Sequence, residues 1–223
     1  MKRSYAFILP RCGEEVVGGM ETLTGQLAGY LSARGDRVEI WATCAKDNRT
    51  WENEWEPGVG REFGVLTRRF PVDARDLEVW IPKQISIAEG MNLPIEDQLD
   101  WMQESVNSKA LYEHIALHAD DFDALFFVPY LFGTTFWGSL IRPDKSYLIP
   151  CLHDESYAYT DVAHAMFQRV SGALFNAGPE QELAERLYGT VRGGEVGMGF
   201  VPFDVQYVEA LEPLASLDFP YLL

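Results

Sequence analysis

SYAFILPRCGEEVVGGMETLTGQLAGYLSARGDRVEIWAT, residues 4–43, decides the fold. Ser4 to Leu9 is a short apolar run, the form taken by a strand buried on both faces of a parallel sheet. Pro10 through Gly19 brings turn residues together with Glu14 and Glu15. Met20, Leu23, Leu27 and Leu31 then recur at helical spacing up to Arg34 and Gly35, which predicts an amphipathic helix stopped by glycine. Val38 to Thr43 returns to β-branched and aromatic residues. Strand, glycine-bearing turn, helix and strand together spell a right-handed βαβ unit.

Outward from that unit the alternation continues. Ala45 to Gly64 is polar, rich in tryptophan, glutamate and glycine, and reads as an irregular excursion at the rim of the sheet. GVLTRRFPV, residues 64–72, reads as a strand ended by proline. Asp73 to Pro94 has no clean period, and Ile95 to His118 carries one long amphipathic helix pattern. Strands follow at Ala124–Val128, Tyr147–Pro150 and Ala173–Asn176, with helices near Phe132–Ile141, Ala163–Val170 and from Pro179 to Tyr188. Proline is tolerated at a helix start, and Glu180 and Glu182 complement the dipole there. Gly193 to Met198 is the last strand of the series. The expectation is an α/β fold of Rossmann-like, doubly wound type, with a mainly parallel sheet and helices on both faces. Residues 1–202 form that domain, and residues 203–223 read as a proline-punctuated linker that leads at Tyr221 to Leu223 into a further strand.

Composition narrows the function. At 47% hydrophobic residues over 223 positions, the chain can fill a substantial core. With 18 Lys and Arg against 34 Asp and Glu, the formal charge of −16 repels nucleic-acid phosphates and anionic lipid. Cys12, Cys44 and Cys151 make neither a disulfide framework nor a CxxC zinc pair, which fits a reducing cytoplasm. The apolar run after Lys2 and Arg3 stops at Pro10, far short of the roughly 20 residues that span a bilayer. A soluble protein, not integral to a membrane, is expected.

The first strand with Val17-Gly18-Gly19-Met20-Glu21, the leucine-striped helix and LSARGDRVEIWAT resemble the opening of the large GT-B family of retaining glycosyltransferases that includes sucrose synthases and bacterial mannosyl- and glucosyltransferases. GVLTRRFPV is similar to that family's third strand, Leu152-His153-Asp154 to its histidine-bearing loop after the fifth, and LFNAGPEQELAERLYG to its sixth strand and next helix. Gly197-Met198-Gly199-Phe200-Val201-Pro202 resembles the segment that closes its first domain. The resemblance implies the N-terminal, acceptor-side half of a GT-B fold. The full protein would transfer a hexose, with retention, from a UDP- or GDP-sugar to a hydroxyl on a sugar, lipid or small-molecule acceptor. Most donor contacts would belong to a C-terminal domain beyond Leu223, and this chain alone would be inactive.

The same resemblance assigns residues. Gly18 and Gly19 would hold the donor diphosphate through backbone N–H groups at a helix N-terminus. His153 would reach the transferred sugar or hold the reacting hydroxyls, with Asp154 beside it as the second catalytic residue. From their own positions, Asn176 and Glu180 at a strand end on the same edge, Tyr130 in the aromatic cluster after the fourth strand and Arg11 in the first loop, where the sequence departs from the family, are expected in the acceptor cleft. Oriented N–H groups and positive charge can stabilise a diphosphate leaving group, so no cofactor and no metal is expected. Read without the family, the glycines also suit a tight turn, His153 a structural loop, Glu180 a helix start, and Tyr130 with Phe132, Phe136 and Trp137 a core cluster. Two other functions stay open. A nicotinamide-dependent oxidoreductase or epimerase needs an acidic residue at the end of the second strand, where this chain has Ala42-Thr43-Cys44 with Asp47 only beyond. A non-catalytic domain that binds a ligand or partner is the other.

Overall fold

Ser4–Leu9 forms β1 and Arg37–Thr43 forms β2, parallel and in register with Phe7 opposite Ile40, joined by helix α1 over Gly19–Ala33. This is a computed structural model, and it describes residues 2–196. Side chains along β1 alternate between two cores: Phe7 and Leu9 join Val38, Ile40 and Ala28 on one face, while Ala6 and Ile8 join Trp41, Leu111 and Ile115 on the other. Both sets are buried, which is why β1 reads as an unbroken apolar run rather than an alternating one.

The remaining strands are β3 (Gly58–Glu62), β4 (Val65–Phe70), β5 (Ala124–Phe127), β6 (Ser146–Leu148), β7 (Gly172–Phe175) and β8 (Gly193–Glu195). They line up as β3-β4-β2-β1-β5-β6-β7-β8, and every neighbouring pair is parallel except β3 with β4. The chain winds outward from β1 through β2 to β4, then returns to the other side of β1 and winds out again. The order reverses between β1 and β5, so the crevice at their carboxyl ends is where a doubly wound sheet receives ligands. The doubly wound α/β architecture is the one expected.

Helices α2 (Leu77–Ala88), α3 (Ile95–Gln103), α4 (Lys109–His118), α5 (Gly133–Ser139), α6 (Asp161–Arg169) and α7 (Gly178–Tyr188) complete the described residues. The face opposite α1 takes Ile87, Trp101, Leu111, Phe136, Met166 and Ala184 from these six helices, whereas the other core receives helical side chains from α1 only. The leucine stripe of α1 is half-buried, Gly25 and Ala28 are buried, and a Cβ at Gly25 would run into the Phe63 ring.

Three expectations are corrected. The Ile95–His118 pattern is two helices, because Asn107 Nδ2 donates to the carbonyls of Met102, Gln103 and Ser105 and closes α3, after which Ser108 caps α4 by accepting from Leu111 N. The segment without a period contains α2, started by Asp76, whose carboxylate accepts from the N–H groups of Glu78 and Val79. Within the excursion at 45–64, β3 pairs antiparallel with β4 at the sheet edge and is tied to it by the 2.6 Å Arg69–Glu62 ion pair. The last two residues of the predicted 193–198 strand, the closing segment 197–202 and the linker 203–223 lie outside the described residues.

His114 on α4 gives the fold a pH dependence. Its ring meets Trp41 edge-on at 4.6 Å and lies 4.4 Å from the His118 ring. Burial pushes its pKa down to about 4, with His118 and Arg68 adding to the depression against Glu39 and Asp121. An unfolded chain takes up this proton near 6.5, so the unfolded state binds more protons between those values and stability falls as pH drops through the window. Partial exposure discounts the effect. His114→Phe, which keeps a ring on Trp41, is expected to lose about 1 kcal/mol less than the parent between pH 7 and pH 5 in urea unfolding. Equal losses in the two proteins would remove His114 from the account.

Candidate functional site

After β6 the chain leaves the sheet through Cys151, whose φ of 50° is left-handed for a residue with a Cβ. That bend carries His153 and Asp154 outward, both exposed. The neighbouring loop after β7 brings Asn176, and α7 starts directly behind it. These loops surround a concavity of about 630 Å³ whose lining includes His153, Asp154, Asn176, Glu180 and Arg186. Asp154 also borders a second concavity of about 550 Å³, shared with Asn92, Gln98 and Tyr159.

The groups in the first concavity play different parts. Glu180 is turned inward: one carboxylate oxygen accepts from Leu152 N at 2.7 Å and the other from Asn176 N at 2.6 Å. It therefore ties the β6 and β7 loops together and has no oxygen left free of a protein donor. Asp154 accepts from Tyr159 Oη at 2.6 Å and from Arg186 at 2.8 Å, and these two partners hold its carboxyl below the usual carboxylate range. Asn176 Nδ2 lies 3.8 Å from Cys151 Sγ, and its Oδ1 is buried without a protein donor. Burial, then Glu180, push the Cys151 thiol up to about 11, while burial and Glu62 push Cys12 up to about 12. Both remain thiols at neutral pH and are poor nucleophiles.

The other assigned residues fall elsewhere. Tyr130 is buried in the core beside Phe136, and its hydroxyl donates to Glu155 Oε1 at 2.7 Å, so its ring faces protein. Gly18 and Gly19 do lie at the N-terminus of α1, but Glu21 folds back over that end. Its carboxylate, 1% exposed, meets Arg11 Nε at 2.6 Å, and Arg11 also donates to the Lys46 carbonyl. A side chain at position 18 would collide with the Glu21 carboxylate, which accounts for glycine there on packing grounds. Gly19 is exposed, with open space where a Cβ would point. Glu14 accepts from Phe63 N and Glu15 from Lys46 Nζ, so both acidic residues of the first loop are engaged.

At the end of β2, Thr43 Oγ1 donates to the Pro10 carbonyl, Cys44 N donates to Phe70, and Asp47 accepts from Arg49 N within its own turn. Ala42, Thr43 and Cys44 offer no carboxylate to a ribose, and the two carboxylates just beyond, Asp47 and Glu54, accept from Arg49 N and Asp47 N in the turn that follows. Sequence reasoning quoted Glu21 within the glycine motif but gave it no role, and it passed over Glu155 and Arg186. An acidic residue in the first turn of α1 was a visible signal for Glu21; the other two find partners too far along the chain to leave one. Among the described residues, no three His, Cys, Asp or Glu side chains converge to hold a metal ion, and no helix is long and apolar enough to cross a membrane. Neither family models nor curated protein sequences provide a match to this chain.

Proposed function

We propose that the chain is the acceptor-side half of a GT-B glycosyltransferase that moves a hexose from a nucleotide donor to an acceptor hydroxyl. The observation that carries the reading is the meeting of His153, Asp154 and Asn176 on one concavity at the carboxyl edge of β6 and β7, in a sheet wound in the order β4-β2-β1-β5-β6-β7-β8. Exposed His153 can orient a reacting hydroxyl from a loop held on both sides, while Glu180 acts as a positioning residue beneath it. Asp154, fixed by Arg186 and Tyr159, supplies negative charge beside a centre that becomes positive during transfer. At the α1 end, Arg11 neutralises Glu21, so any hold on a diphosphate there rests on backbone N–H groups at Gly19 and on cations supplied by the proposed second domain. The nicotinamide reading loses ground because the end of β2 offers a threonine engaged with Pro10 in place of a carboxylate.

Nucleotide release from a panel of UDP- and GDP-hexoses tests the reading on the full-length gene product. One donor is expected to release its nucleotide, and His153→Ala is expected to slow release about 10- to 100-fold with little change in donor KM. Silence from every donor, or an unaffected His153→Ala variant, would overturn it.

A further inference from the structure

A third cavity, of about 230 Å³, opens on the same sheet edge but shares no residue with the concavity around His153. Trp51 reaches it from the segment after β2, Arg75 from the segment after β4, Phe132 from after β5 and Tyr157 from after β6, while α2 and α3 contribute Trp80 and Trp101. Four strand ends and two helices thus converge beside the point where the sheet order reverses.

Its walls are mainly aromatic and already fixed, with Asn48, Arg75, Gln84 and Ser105 as the polar members. Trp101 and Tyr157 stack with centroids 5.9 Å apart and planes at 13°, and Trp51 meets Phe132 edge-on at 5.1 Å. Gln84 locks the first pair by accepting from Trp101 Nε1 at 2.7 Å and donating to Tyr157 Oη at 2.6 Å, which uses its own polar atoms. Two of its lining side chains carry buried donors with no protein acceptor, Arg75 Nη2 and Trp80 Nε1. The guanidinium sits 4.8 Å from the Trp80 ring centre and is anchored through Nε to the Glu104 carbonyl at 3.0 Å. Leaving such donors unpaired costs about 1–3 kcal/mol each.

Among the described arginines that are not exposed, Arg75 alone lacks a carboxylate partner. Arg11, Arg68 and Arg69 each meet a carboxylate at 2.6 to 2.8 Å, whereas Arg75 has no ion-pair partner among the described residues, in a protein of formal charge −16. The Glu104 charge is felt at Arg75, but the two form no ion pair, and Glu104 Oε2 accepts from Asp76 N. A carboxylate offers two acceptors and the missing negative charge. The volume lies below the roughly 300–1,000 Å³ of drug-sized sites, which suits a single ring and not a nucleotide sugar.

We infer that this cavity binds a small aryl carboxylate, with its ring among Trp51, Trp101 and Phe132 and its carboxylate on Arg75 and Trp80. The site involves no donor and no transfer step, so it stands or falls apart from the glycosyltransferase reading.

Calorimetric titration of the full chain with benzoate, with its neutral counterpart benzamide and with ringless acetate provides the test. Benzoate is expected to bind at least about tenfold more tightly than either. Arg75→Gln should abolish the preference for benzoate over benzamide, and Trp80→Phe, which keeps a ring but loses the N–H, should weaken benzoate about three- to tenfold. Thermal melts show whether each variant is folded, and the comparison of benzoate with benzamide on the parent protein decides the matter even if Arg75→Gln is not. Absent benzoate binding, equal binding of benzoate and benzamide, or a folded Arg75→Gln variant that keeps the preference would each overturn the assignment.

Discussion

Arg11→Ala is expected to lower the unfolding free energy by about 3–5 kcal/mol, the cost of leaving a buried carboxylate without its cation. Glu21 is 1% exposed and Arg11 8%, so neither charge can turn to water without opening the first loop. The contact at 2.6 Å and the second anchor of Arg11 on the Lys46 carbonyl fix the guanidinium in place. The Glu21 charge is also felt at the thiols of Cys12 and Cys151, which it helps to hold in the neutral form, so it lies at the centre of the carboxyl edge. Truncation of the arginine deletes one charge and strands the other; replacement of both, as Arg11→Met with Glu21→Leu, removes both desolvation penalties and is expected to come within about 1–2 kcal/mol of the parent. Urea unfolding of the two single variants and the double variant closes the cycle. A loss below about 1 kcal/mol for Arg11→Ala would mean that the pair is solvated and the α1 end is open to a ligand anion.

That pair marks the limit of what the sequence disclosed. The central parallel strands were legible because both faces of the sheet are covered there, so β1 appears as an apolar run and β2 as one interrupted by Glu39, a buried carboxylate that accepts from Arg68 and Trp41. Helix α2 was illegible for the opposite reason. Its apolar residues Leu77, Ile81 and Ile85 face outward, its inner side runs through Trp80, polar Gln84 and Ile87, and Pro82 lies inside it, so apolar residues on both sides leave no single stripe. The break between α3 and α4 depends on one asparagine amide spent on three carbonyls, and no periodicity records that.

Among the site residues, position on a strand end could be read but side-chain direction could not. Asn176 directly follows β7, His153 and Asp154 lie on the loop after β6, and all three line the concavity. Tyr130 also follows a strand, yet its hydroxyl is claimed by Glu155, 25 residues later. The aryl-lined cavity was hidden more completely, since its walls come from six segments that share no motif.

Glu180 carries the second large effect. Glu180→Ala leaves the N–H groups of Leu152 and Asn176 without their acceptor, and at about 1–3 kcal/mol for each of the two donors the loss is expected at about 2–6 kcal/mol. Glu180→Gln keeps an oxygen for one amide and turns a donor toward the other, so it should cost nearly as much. The effect is local as well as global. Cys151 holds a left-handed φ of 50° one residue before the clamped amide, and once the clamp is removed that bend can relax and carry His153 with it. Hydrogen exchange at Leu152 and Asn176 is therefore expected to accelerate beyond what the global destabilisation explains. The thiol provides an independent readout: Glu180 helps hold Cys151 up to about 11, so its removal should raise the rate of thiol modification, and Cys151→Ser in the same background should abolish the gain. If exchange at Leu152 tracks global unfolding alone and the thiol rate does not move, Glu180 is one more buried carboxylate in a helix start, and the geometry of the His153 loop must be held by Asp154 with Arg186 instead.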